Sequence, residues 1–176
     1  PDILAHVGSS FALTFIDPTG WTGFALRTIS PLLDHQGEVL INFMFDYINR
    51  FRADKRPATT ETFDQLFGGR GWEGAVASDE AAMRELYHER LKELGKFAFA
   101  TRTRILKPQI DRTYFHLVYA TRHVQGLAEF RKVEKKFLAE QEQVRAAAKQ
   151  STRVRKTNQG ELFSEAEADP NLRLLE

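Results

Sequence analysis

The stretch Phe11 to Trp21, FALTFIDPTGW, constrains the fold more than any other part of the chain. Phe11, Ala12, Leu13, Phe15 and Ile16 form an almost unbroken apolar run closed by turn residues. Such a run predicts a strand buried on both faces of a parallel sheet. Asp17-Pro18-Thr19-Gly20 ends it, because Pro18 cannot donate to a ladder and Gly20 permits a sharp turn. A helical pattern follows from about Thr22. Asp17 is therefore expected at the carboxyl end of a central strand, where open α/β sheets bind ligands. The same residue also suits the start of a turn or the cap of the next helix.

Downstream, Phe24, Ala25, Leu26, Ile29, Leu32 and Leu33 share one helical stripe, which Pro31 is expected to kink or break. Glu38 to Phe45 reads as a second buried strand. Strand, helix and strand make a crossover unit with a parallel pair, Asp17 and Asn42 at the same edge. Pro57 to Thr60 looks like a turn-rich link, and Phe63 to Phe67 like a short amphipathic turn. Ser78 or Asp79 suits the cap of a helix to about Leu94, with Met83, Leu86, Tyr87, Leu91 and Leu94 inward and Gly95 at its end. Phe97 to Ile105 and Thr113 to Thr121 alternate around a Pro108 loop and predict an antiparallel hairpin. A long helix is expected from Gly126 to Gln150, with a thin seam of Phe130, Val133, Phe137 and Val144. Residues 151–176 read as a flexible tail. The division is thus 1–125 for the α/β part with a helical insertion at 57–95, 126–150 for the helix, and 151–176 for the tail.

The 176 residues suffice for one domain with a real core. Net charge is +1, so no global field draws nucleic acid or membrane. The chain has no cysteine, which excludes disulfides and thiolate metal sites and fits a cytoplasmic protein. No apolar run of about 18 residues offers a membrane span. The histidines His6, His35, His88, His116 and His123 have no metal-ligand spacing. Arg50, Arg52, Lys55 and Arg56, with Tyr47 and Phe51 among them, suit either phosphate and base contact or a solvated loop. Arg145, Lys149, Arg153, Arg155 and Lys156 read as a solvated helix end, with nucleic-acid contact as the lesser alternative. Gly69-Arg70-Gly71-Trp72-Glu73-Gly74 spells a nucleotide-loop pattern but follows a helical segment. A turn anchored by Trp72 is the better expectation.

FIDPTGW, EVLINFMFDYINRF, FDQLFGGRGW and YFHLVYATRHVQGLAEF, in that order, resemble the three-Cys-motif partner protein family. That family has an S-adenosylmethionine-dependent methyltransferase-like, Rossmann-like fold. The resemblance covers Phe11 to about Lys136 and implies the carboxyl-terminal half of such a sheet, because nothing before Asp17 supplies the glycine-rich cofactor loop. It implies a fourth strand ending in Asp-Pro, a fifth ending near Asn42, and the last two as a hairpin. By the same resemblance Asp17 would orient an amino methyl acceptor with Pro18 fixing the backbone. Thr19, Gly20, Trp21 and Asn42 would line the acceptor pocket. S-adenosylmethionine is then the implied cofactor and a separate cysteine-motif protein the implied partner. A non-catalytic Rossmann-like module for a protein or nucleic acid is the other reading. The chain, starting at Pro1, is expected to be a processed or truncated piece of something longer.

Overall fold

The computed structural model describes residues 3–18 and 23–157 of the chain. Four strands form one mixed sheet: β1 (Ala12–Ile16), β2 (Gly37–Phe43), β3 (Phe99–Leu106) and β4 (Thr113–Thr121). Their spatial order is β1-β2-β4-β3. β1 runs parallel to β2, as expected, with Ile16 opposite Ile41. β4 is antiparallel to both β2 and β3, so the expected hairpin is present and its second strand inserts beside β2.

The helices are α1 (Ile3–Val7), α2 (Leu26–Asp34), α3 (Phe45–Phe51), α4 (Pro57–Leu66), α5 (Glu73–Ser78), α6 (Glu80–Gly95) and α7 (Val124–Thr157). α2 runs through Pro31 without a break. Proline cannot donate to the carbonyl of Arg27 one turn back, and Ser30 Oγ donates to that carbonyl at 3.1 Å instead. Pro57 to Thr60 is not a link but the first turn of α4, with Pro57 where a helix needs no backbone donor. The 50–56 segment also begins inside a helix, α3. Asp79 caps α6 by accepting from the Ala82 amide at 2.8 Å. Gly95 closes α6 as its last residue, because a side chain there would overlap the Phe97 ring. The left-handed position is Lys96. Leu94, expected inward, is exposed.

The core lies on one face of the sheet. Val39, Ile41, Phe43, Val118 and Ala120 meet Leu26, Met83, Tyr87 and Leu91 from the helices and Phe24 from the turn before α2. Each of the Val, Ile, Leu, Met and Phe side chains among them contributes about 1.5–3 kcal/mol by leaving water. Phe24, Phe43 and Tyr87 form an aromatic triangle with centroids 4.5–5.9 Å apart, and the buried Tyr87 hydroxyl donates to the Phe24 carbonyl at 2.8 Å.

α7 covers part of the opposite face. Phe130 stacks on Tyr119, Glu134 accepts from Thr103, and Gln141 accepts from the Leu106 amide. It is one 34-residue helix, so helix replaces the tail expected over 151–157; the rest of that tail lies outside the described residues. Arg145, expected to be solvated, is 5 % exposed. It pairs with Asp111 and Glu142 and donates to the Lys107 carbonyl, fastening the helix to the hairpin loop.

β1 departs most from expectation. Among the described residues it is the terminal strand of the sheet, where a central one was expected. Ala12, Thr14 and Ile16 are half-buried on the core side, whereas Phe11, Leu13 and Phe15 are 57–61 % exposed. On that face α7 packs mainly on β3 and β4.

Candidate functional site

Parallel pairing brings the carboxyl ends of β1 and β2 side by side. With Ile16 opposite Ile41, the next residues are Asp17 and Asn42, and Asn42 Nδ2 donates to Asp17 Oδ1 at 2.7 Å. Asn42 is 9 % exposed, while Asp17 is exposed. Asn42 Oδ1 is buried and has no partner among the described residues. A buried amide oxygen left this way favours a donor brought in from outside.

Both residues line an open cleft of about 460 Å³ on the α7 side of the sheet. Phe15, Leu40 and Leu117 form its floor, and Phe115, Tyr114 and Phe137 rise around it. The site is thus an apolar, aromatic bowl with a carboxylate and an amide oxygen at one end. Such a bowl fits a molecule carrying N–H donors on an apolar or aromatic body. Asp17 presents Oδ2 beyond the oxygen engaged by Asn42, so a cationic amine would meet charge as well as acceptors.

Of the residues singled out in the sequence, the structure brings Asp17 and Asn42 together. Pro18 follows Asp17 and packs against Gly23, where a side chain would come within 2.7 Å of Pro18 Cβ. Thr19, Gly20 and Trp21 lie outside the described residues. Arg50 and Arg52 are exposed at the far end of α3 and do not line the cleft. Phe51 packs against the core and Arg56 is bound to Asp54, so neither is disposed as a stacking or phosphate-gripping group. The lining residues Phe115, Leu117 and Phe137 came from outside the Asp-Pro stretch. Their signal was the alternation of β4 and the seam of α7.

The glycine pattern at 69–74 does not form a nucleotide loop. A nucleotide loop needs a strand, a glycine-rich turn and a helix in succession. Gly69-Arg70-Gly71 instead joins α4 to α5. Arg90 occupies its concave side, donating to the carbonyls of Phe67 and Arg70 at 3.2 and 2.6 Å. Trp72 anchors the turn, as expected, through a 2.7 Å bond from Nε1 to Asp64 and a ring contact with Phe63.

A second polar cluster lies under α6. His116 is 4 % exposed on β4, with Nε2 3.5 Å from Glu80 and neither ring nitrogen hydrogen-bonded among the described residues. Burial and the cations of Arg84, Arg102 and Arg104 push its pKa down to about 4. Glu80 does not offset them because Arg84 already engages its Oε1. No three His, Asp or Glu side chains among the described residues gather to hold a metal. No helix among them is long and apolar enough to cross a membrane.

No family model matches the sequence, and no curated protein or solved structure matches it either.

Proposed function

We propose that this chain binds and orients an amino group, as the acceptor-side half of a methyltransferase-like enzyme whose methyl-donor site it does not itself supply. The observation that carries the reading is the Asp17–Asn42 pair, 2.7 Å apart at the ends of two parallel strands and opening onto an aromatic cleft. Asp17 and Asn42 Oδ1 accept hydrogen bonds from the amine, which fixes the direction of its lone pair. The gain is orientation and charge complementarity. The acceptor is an amino group on a protein partner, the cysteine-motif protein of the resemblance being the first candidate.

The experiment is a titration with benzylamine, followed by backbone amide shifts in an NMR spectrum. Shifts concentrated at Asp17, Asn42 and Leu117 support the reading. Shifts spread over the surface, or none, refute it. The exposed stripe of Phe11, Leu13 and Phe15 favours a second reading, a non-catalytic module that docks on a protein.

A further inference from the structure

Arg104 on β3 lies opposite His116 on β4, and Arg102 lies opposite Val118. Residues opposite each other on paired strands share a face. Val118 belongs to the core, so this is the face that α6 covers, the reverse of the Asp17 cleft. From α6 come Glu80, Arg84, Glu85 and His88. Arg84 engages Glu80, Arg102 donates to Glu85 at 3.1 Å, and Arg104 Nε donates to Thr113 Oγ1 at 2.9 Å. Three guanidiniums thus meet two carboxylates. Arg104 is the one left over, and its side chain is exposed.

Buried polar atoms nearly always find a partner. Among the described residues five buried side-chain nitrogens and oxygens have none, and four of them lie in this layer: Arg84 Nε, His88 Nε2 and both ring nitrogens of His116. Arg84 Nε carries a hydrogen to donate, and each neutral imidazole carries one more. The layer is therefore rich in donors and in positive charge, and poor in acceptors. His116 turns Nε2 toward Glu80 Oε1, 3.5 Å away, the same oxygen that Arg84 holds. A single carboxylate oxygen stands where these donors converge.

We propose that this layer is an anion site, in which a phosphate group replaces the Glu80 carboxylate between Arg84, Arg104 and His116. A tetrahedral dianion has more oxygens than a carboxylate, so it accepts from the Arg84 fork, an Nη of Arg104 and the His116 ring together. Glu80 is the movable part. Its side chain is 42 % exposed at the first position of α6, and Asp79 keeps the helix capped when Glu80 swings into water. The buried nitrogens are reached through that movement, so Glu80 is an internal plug that competes with the ligand.

The test is an NMR titration of the full chain with inorganic phosphate at neutral pH and constant ionic strength, following the His116 ring Cε1–Hε1 resonance. Saturable movement of that resonance is expected with phosphate and none with chloride. Arg104→Gln should weaken phosphate about tenfold or more, the loss of one hydrogen bond to a charged group. Glu80→Gln should tighten it at least about threefold, since the competing charge is gone while Arg84 keeps an acceptor. Glu89→Gln, the same charge change elsewhere on α6, should leave it unaltered. Far-UV circular dichroism checks that each variant stays folded. Methyl phosphate in a parallel titration separates the two sources of the group: tighter binding than inorganic phosphate supports an ester as ligand, weaker binding supports the free ion. An unmoved His116 resonance overturns the proposal, as does movement confined to Arg50 and Arg52. An affinity that Arg104→Gln or Glu80→Gln leaves unchanged overturns it equally.

Discussion

Arg122 is the side chain whose loss should be felt most for its half-buried position. Its Nη2 donates to the carbonyls of Leu33 and Gly95, both at 2.6 Å, and its Nη1 to those of His35 and Gly37 at 3.2 and 3.1 Å. Leu33 lies in the last turn of α2 and Gly95 ends α6, so one cation meets the negative ends of two helices. The guanidinium also sits 4.5 Å over the Phe97 ring. A hydrogen bond to a charged group contributes about 1.5–3 kcal/mol, and bonds sharing one donor group do not add in full. Arg122→Ala should therefore cost about 3–5 kcal/mol, a large share of the 5–15 kcal/mol typical of a domain. Arg122→Lys keeps the charge but loses the fork, and should cost about half as much. Urea unfolding reads both, the midpoint falling by roughly 2 M for Ala at a slope of about 2 kcal/mol/M. An Ala variant within about 1 kcal/mol of wild type refutes the idea that this arginine holds the two helix ends to β2.

Two further outcomes follow from single sites. His116 has a folded pKa of about 4 against an ordinary 6.5, so its stabilising share is full above pH 6.5 and is lost as pH falls toward 4. Wild type should lose up to ~3 kcal/mol more than His116→Gln between pH 7 and pH 4, and parallel stability–pH curves would contradict this. A Cβ at Gly37 would stand 1.9 Å from the Ala12 carbonyl oxygen, inside the β1–β2 ladder, whereas one at Gly74 meets nothing within 4 Å. Gly37→Ala should cost more than about 2 kcal/mol, while Gly74→Ala in helix α5 should be neutral or gain about 0.5–1 kcal/mol by thermal melts.

The parallel β1–β2 pair, the β3–β4 hairpin and the Asp79 cap were legible because each rests on local pattern: apolar runs, alternation around Pro108, a carboxylate before a helical stretch. Asp17 and Asn42 were legible as neighbours for the same reason, since equal strand ends follow from parallel pairing. The position of β1 in the sheet was not. A run such as FALTFI suits a doubly covered central strand and an edge strand with one open face equally well. Which of the two it becomes depends on what pairs with its edge and what covers its face, and neither is encoded in the local run. The anchoring of Arg122 and Arg145 was hidden likewise, because an arginine's burial is set by carbonyls and carboxylates that only the tertiary fold assembles. Pro31 misled because the sequence alone does not reveal that Ser30 takes over its missing bond.

The central claim is that Asp17 and Asn42 together accept an amino group in the cleft. It is tested most directly by the dissociation constant of benzylammonium for the full chain, measured by NMR titration in wild type, Asp17→Ala and Asn42→Leu, with benzyl alcohol as the uncharged counterpart. Loss of a hydrogen bond to a charged group is worth about 1.5–3 kcal/mol, so Asp17→Ala should weaken benzylammonium roughly 10- to 150-fold. Asn42→Leu should weaken it by a smaller factor, and benzyl alcohol should bind all three proteins alike. Equal benzylammonium affinity in wild type and Asp17→Ala would contradict the claim.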